Sequence, residues 1–273
     1  MTPALYLSAI YIYPIKSLGG IRLDQAVVEE RGLQHDRRWM LVDAKGDFLT
    51  QRQHAHMALL QVSLLPEGLE VRHKQDKVAP LFIPFATENA SGEELQVSIW
   101  DDTVMAQEVS PAISAWFTAA LGMPARLVRM PQHTRRPVDP QYATNGEVVS
   151  FADGYPFLII GQASLDDLNS RLEQPIPMDQ FRPNLVFVGG EAFAEDIWSD
   201  FTIGSLSFRA VKPCARCVLI TINQSTAEKS VEPLRTLATY RQQRNKIMFG
   251  QNLLSQSTGI LRVGEPVHVL SRA

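Results

Sequence analysis

The sequence predicts an α+β protein in which strands predominate, organised as two units over residues 1–125 and 126–273. Two observations carry this. Short runs rich in Val, Ile, Phe and Tyr alternate with polar residues and are cut by Pro, Gly, Asn and Asp, which is the pattern of strands and hairpins. Helical periodicity is confined to three short, capped stretches.

In chain order, Leu7, Ala9, Tyr11 and Tyr13 alternate with Ser8, Ile10 and Ile12 up to Pro14, a strand buried on at least one face. Trp39–Val42 and Phe48–Thr50 flank Asp43–Asp47, and Val97–Trp100 faces Val104–Met105 across Asp101–Thr103, so hairpins recur. Ser110-Pro111 supplies a cap and a first-turn proline for a helix with Ile113, Trp116, Phe117, Ala120 and Leu121 on one stripe, and Gly122 stops it. Prolines 131, 137 and 140 with Asn145-Gly146 then mark a long connector. Arg135-Arg136 within it either clamps an anion or is merely solvated, and residue type favours solvation.

Beyond the connector, Ser164-Leu165-Asp166-Asp167 predicts a helix opening on a Ser cap, with Leu165, Leu168 and Leu172 as its seam. Leu185–Val188 reads as a strand ending at Gly189-Gly190, and Leu206, Phe208 and Ala210 alternate with Ser207 and Arg209. Pro233 opens a helix carrying Leu234, Leu237 and Ala238, and Ile260, Arg262–Glu265 and Val267–Leu270 read as two closing strands around a turn.

Hydrophobic residues at 45% and charged residues at 20% suit a soluble globular chain, while a net charge of −3 disfavours a broad nucleic-acid footprint. Arginine outnumbers lysine 19 to 7, which favours a few bidentate contacts to a small anion. Met1–Tyr6 carries no basic region ahead of its apolar stretch, and no later run approaches the roughly 18 apolar residues of a membrane span. A cytoplasmic protein without a membrane span is therefore expected, in a compartment where thiols stay reduced.

The only two cysteines lie in Lys212-Pro213-Cys214-Ala215-Arg216-Cys217. Zinc needs four ligands, and no histidine spacing completes the set. A thioredoxin-like dithiol needs a strand running into a helix, whereas Val218–Ile222 reads as a continuing β-branched strand. Two readings stay open: a thiolate binding the soft metal of a cofactor, or a buried, inert pair.

Five motifs settle the resemblance. Tyr13-Pro14-Ile15-Lys16-Ser17, His35-Asp36-Arg37-Arg38-Trp39, Phe181-Arg182-Pro183-Asn184, the cysteine motif and Phe249-Gly250-Gln251-Asn252-Leu253 occur in the order and spacing of the MOSC family. The chain resembles its YcbX-type bacterial members and is similar to the mitochondrial amidoxime-reducing component. The resemblance implies an N-terminal MOSC β-barrel domain followed by a MOSC β-barrel domain with peripheral helices.

It also implies a molybdenum–molybdopterin cofactor, with Cys217 as the protein ligand to molybdenum and the catalytic residue. Lys16 and Ser17 match a phosphate- and pterin-contacting pair. Arg37 matches the family's cofactor-binding arginine, and Arg182 and Asn184 match residues that bracket the cofactor. Arg38 stands where relatives vary, and Asp36 orients its neighbour. Gly154-Tyr155-Pro156 sits in a loop that approaches the cofactor, and Cys214 is left to packing. Pyridoxal phosphate binding attaches to the family as a whole and is carried to no residue here.

The implied activity is reduction of N-hydroxylated small molecules: hydroxylamines, amidoximes and N-hydroxylated base analogues. The alternative is a non-catalytic carrier of the cofactor or its sulfur. Longer bacterial relatives add a ferredoxin-like domain, but two cysteines cannot hold a [2Fe–2S] cluster. Electrons are thus expected from a separate iron–sulfur, flavin or haem protein, unless the sequence is a fragment.

Overall fold

The computed structural model describes residues 4–75, 78–86 and 92–273, so the sequence reading over Met1–Pro3 lies outside it. Strands predominate, as expected. Among the described residues nine strands share the main sheet, eight of them in the order Val267–Val269, Asp200–Ile203, Leu206–Arg216, Lys246–Ser255, Phe157–Gly161, Leu185–Val188, Tyr6–Ile12 and Ile21–Leu23. The first strand thus pairs with Leu185–Val188, and Gln25–Glu29 pairs with Gly259–Arg262. Strands from both ends of the chain complete one another's sheets.

Tyr6–Ile12 is paired along both edges, and its side chains pack on both faces of the sheet. Leu7, Ile10 and Ile12 enter one apolar core with Phe157, Phe187 and Phe208, while Ala9 enters another with Ile160, Phe181 and Phe249. Phe157–Gly161, the helix Gln162–Arg171 and the parallel strand Leu185–Val188 form a βαβ unit. Leu165 and Leu168 seat the helix against Ile160 and Val186. The hairpin Glu94–Ile99/Asp102–Glu108 joins Arg126–Arg129 and Trp39–Val42 in a separate four-stranded sheet. The helix Pro111–Leu121 packs its Ile113, Phe117 and Leu121 over the apolar cluster of this half, with the expected Ser110 cap and Gly122 in the left-handed conformation.

Several readings are corrected. The helix expected at Ser164 begins at Gln162; Ser164 lies inside it, and its Oγ hydrogen-bonds the buried Glu195 carboxylate instead of capping the helix. The two closing strands are present but do not pair with each other: one joins Gln25–Glu29 and the other Asp200–Ile203. Val218–Thr221 is a 3₁₀ turn, so the strand before the cysteines does not continue after them. Arg135 is exposed, but its neighbour Arg136 is not solvated at all. The Arg136 side chain, 3% exposed, pairs with Asp102 and donates to the carbonyls of Ser150, Ala152 and Asp153, stapling the connector to the segment that follows it.

Candidate functional site: a cationic cleft between the two halves

Lys16, Ser17, Arg37, Arg182, Asn184 and Cys217 all line one open cleft. The elements explain the convergence. Tyr6–Ile12 runs into Pro14 and delivers Tyr13–Ser17 to the cleft, and the Leu33–Trp39 turn lies beside it through the Arg37 N–H to Tyr13 O bond, 3.0 Å. Phe181–Asn184 enters the neighbouring strand Leu185–Val188. Across the cleft, Leu206–Arg216 shifts register against Lys246–Ser255 between Ala210 and Lys212 and again between Pro213 and Ala215. Such bulges bend a strand and re-aim its side chains, and they also accommodate Pro213, which has no N–H for a regular ladder. Cys214 and Cys217 come to the cleft wall by this route, both as free thiols.

Three of the six residues hold backbone that side chains seldom adopt: φ is 67° at Ser17, 48° at Arg37 and 56° at Arg182. Each such residue costs on the order of 1 kcal/mol or more, and such strain gathers at functional sites. Nothing in the residue types signals it, since no glycine marks these positions.

A buried polar frame holds the strained turns. Asp36, 1% exposed, accepts from the Tyr13 N–H at 2.7 Å and from Arg37 Nη1 at 2.6 Å, the orienting role expected of it. Arg37 also donates to Asn184 Oδ1 at 3.2 Å and to the Arg182 carbonyl at 3.3 Å. The Arg37 and Arg182 guanidinium carbons lie 4.3 and 4.2 Å from the Tyr13 ring centroid, and the Tyr13 hydroxyl donates to Pro183 O. Burial pulls the Arg182 guanidinium down to about 10 and pushes the Tyr13 phenol up. A side chain at Gly20 would collide with the same ring, its Cβ 2.4 Å from Tyr13 Cε1. The Asn184 amide also donates to Tyr11 O and accepts from Leu158 N–H, which fixes its orientation.

Sequence reasoning passed over further residues in and behind the cleft wall. Gln51 donates to Ser17 O at 2.7 Å and forms a reciprocal amide pair with Gln224, at 3.2 and 3.0 Å, tying the Lys16-Ser17 turn to the loop beyond Cys217. Arg216 donates to Cys214 Sγ at 3.1 Å and to Phe181 O, so Cys214 serves the cleft wall as well as packing. Among the described residues Asp153 is the one carboxylate lining the cleft, paired with Lys16 at 2.6 Å and Arg52 at 3.3 Å. Apart from the Arg216–Cys214 bond, these contacts join residues more than 30 positions apart, and no local pattern announces them.

Residues 4–124 match the MOSC N-terminal beta barrel domain and residues 146–268 the MOSC domain. Human mitochondrial amidoxime-reducing component 1 is 32% identical, over 97% of this chain and 83% of its own. The chain belongs to the MOSC family. The rat mitochondrial amidoxime reducing component 2 is similar at 32% identity, over 96% of this MOSC chain and 82% of its own. The molybdenum cofactor sulfurase of Arabidopsis thaliana is 33% identical over 91% of this chain, which spans 33% of that longer protein. Among the described residues, no helix of this MOSC protein is long and apolar enough to cross a membrane.

The cleft's donor set fits a molybdopterin. Lys16, Arg37, Arg52, Arg182 and Arg216 face a single carboxylate, which suits a phosphate, and the buried Nε atoms of Arg52 and Arg216 have no partner of their own. Among the described residues no group of three or more His, Cys, Asp or Glu could hold a metal, so a metal here would need ligands from a cofactor beside the thiolate.

Lys16 carries a pH signature. Its ammonium donates to Phe151 O at 2.8 Å and to Asp153, and burial pulls it down to about 8 despite the opposing Asp153 charge. Burial would raise Asp153, but Lys16, then Arg52 and Trp100, hold its carboxyl well below the usual range, in keeping with a side chain that is 61% exposed. Lys16 adds to anion affinity only while protonated, so its contribution is present at lower pH and falls away as the pH rises through about 8. Sulfate, whose charge is constant here, is expected to bind the cofactor-free protein about tenfold more weakly at pH 9 than at pH 7, and Lys16→Met to flatten the dependence in calorimetric titrations.

Proposed function

We propose that this MOSC protein binds a molybdenum cofactor in the cleft and reduces N-hydroxylated compounds with electrons from a separate donor protein. One observation carries the reading: six residues from four separated segments, three of them strained, meet in one cationic cleft that holds both thiols. The names of relatives matched over most of their length supply the reaction class.

The Cys217 thiolate would ligate the metal from the end of the bent strand. Lys16 and Ser17 would take the phosphate, and Arg37, Arg182 and Asn184 the pterin edge, with Tyr13 and Asp36 keeping both guanidiniums in place. When bound, the cofactor supplies two-electron chemistry at an oxygen-accepting metal. Overall, N–OH becomes N–H: the N–O bond breaks, two electrons and two protons are consumed, and water leaves. The open cleft admits water as the proton source. The relatives' name, a component of amidoxime reduction, supports a separate electron donor.

A second reading, cofactor or sulfur carriage without turnover, is favoured by the likeness to the plant sulfurase. One experiment separates them. Metal-loaded protein given dithionite-reduced mediator dye and benzamidoxime or 6-hydroxylaminopurine is expected to form the amidine or the amine. Bound molybdenum with no product from either compound would establish the carrier instead.

A further inference from the structure

Beside the cofactor cleft runs a second groove that shares Thr50 and Arg52 with it. Phe48 and Trp100, whose rings pack edge to face at 4.8 Å with an interplanar angle of 66°, form one wall of it, and Asp43, Asp47, His54 and Ser98 line the rest. Phe48 stands between the two spaces: Lys16 Nζ lies 5.4 Å from its centroid, and Trp100 lies against the same ring.

Trp100 is an odd choice for its position. It occupies the tight connection between Ile99 and Asp102, paired partners of the hairpin, with φ at 56°, where glycine or asparagine is the unstrained residue. Its ring is 42% exposed, so the core does not repay that strain. The ring is nonetheless fixed. Its Nε1–H donates to Asp153 Oδ1 at 3.3 Å, and the Arg52 guanidinium lies 4.1 Å from its centroid while pairing with Asp153. A large aromatic surface is therefore held still, half open to solvent, one hydrogen bond from the cleft that would hold the metal. A strained residue that keeps much of its ring open to solvent points to function, and a rigid ring beside an open groove is suited to a flat partner.

We infer that the Phe48–Trp100 groove is the subsite for the planar aromatic part of the substrate, with its N-hydroxyl end directed past Arg52 into the cleft. The preferred substrates are then aryl or heteroaryl N-hydroxylated compounds, not small aliphatic ones. This rests on the proposed reductase reading for its chemistry, but binding alone also tests it.

The experiment compares benzamidoxime with acetamidoxime on holoenzyme carrying Trp100, Trp100→Ala or Trp100→Phe. Without reductant, calorimetry is expected to show benzamidoxime binding weakened about tenfold by Trp100→Ala. With reduced dye, the ratio of kcat/KM for benzamidoxime over acetamidoxime is expected to fall about tenfold in Trp100→Ala, chiefly through KM. Trp100→Phe restores it to within about twofold, because the ring and not the N–H makes the contact. Equal losses for both compounds, a ratio unmoved by Trp100→Ala, or no rescue by phenylalanine would overturn the subsite. Undiminished benzamidoxime binding in Trp100→Ala does so even if no compound is reduced, whereas weakened binding with no turnover in any protein sustains the subsite and removes only the reductase reading.

Discussion

Cys217→Ser is expected to abolish molybdenum retention and to lower turnover by a thousandfold or more, which corresponds to about 4 kcal/mol of barrier. Serine is nearly isosteric and the site is only half-buried, so the fold should lose less than about 1 kcal/mol. Cys214→Ser is the internal comparison. Cys214 lies in the same cleft and accepts a hydrogen bond from Arg216, yet a ligand role belongs to Cys217 alone under the proposal. Metal analysis should find molybdenum retained in Cys214→Ser and lost in Cys217→Ser. A dithiol mechanism requires both sulfurs, so equal loss of turnover with full metal in either variant would point there. That alternative gains some ground from the structure, because the 3₁₀ turn after Cys217 removes the continuing strand once set against it.

Arg136→Met should be the most destabilising surface-distant change in the connector. The side chain is 3% exposed and satisfies three carbonyls besides its ion pair with Asp102. Methionine fills the volume but leaves those carbonyls without donors, each at about 1–3 kcal/mol, so a loss of about 3–5 kcal/mol is expected. The half-exposed Asp102 regains water and limits the penalty. Arg135→Met, at a 59% exposed site paired with an equally exposed Glu30, should change stability by less than about 0.5 kcal/mol. Urea denaturation of the two variants checks this; similar midpoints would refute the stapling role. The same substitution should weaken anion binding, since Arg136 holds the carbonyl of Asp153 and so the segment that pairs with Lys16.

Local chemistry accounts for what was legible. The Ser110 cap, Gly122 stop and Ile113–Phe117–Leu121 stripe lie within a dozen residues of one another, and the helix follows from them. Ser164 shows the opposite case: as a residue type it favours a cap, but the buried Glu195, 31 positions away, takes its hydroxyl. Val218–Thr221 has β-branched residues at both ends yet forms a 3₁₀ turn, because tertiary packing overrides a weak strand preference. The six cleft residues were legible as motif positions, but their left-handed backbone, the Tyr13 ring between two guanidiniums and the Gln51–Gln224 pair were not.

By itself the sequence determined a strand-dominated α+β chain, the extent of most elements, and the residue types able to hold a phosphate and a soft metal, because periodicity, capping and donor chemistry are properties of neighbours along the chain. Only the tertiary structure decided which cation is solvated and which is buried, how a bulged strand turns its thiols toward a cleft, and that the two ends of the chain share sheets around it. Those outcomes depend on contacts between distant residues, whose energies exceed the local preferences they overrule.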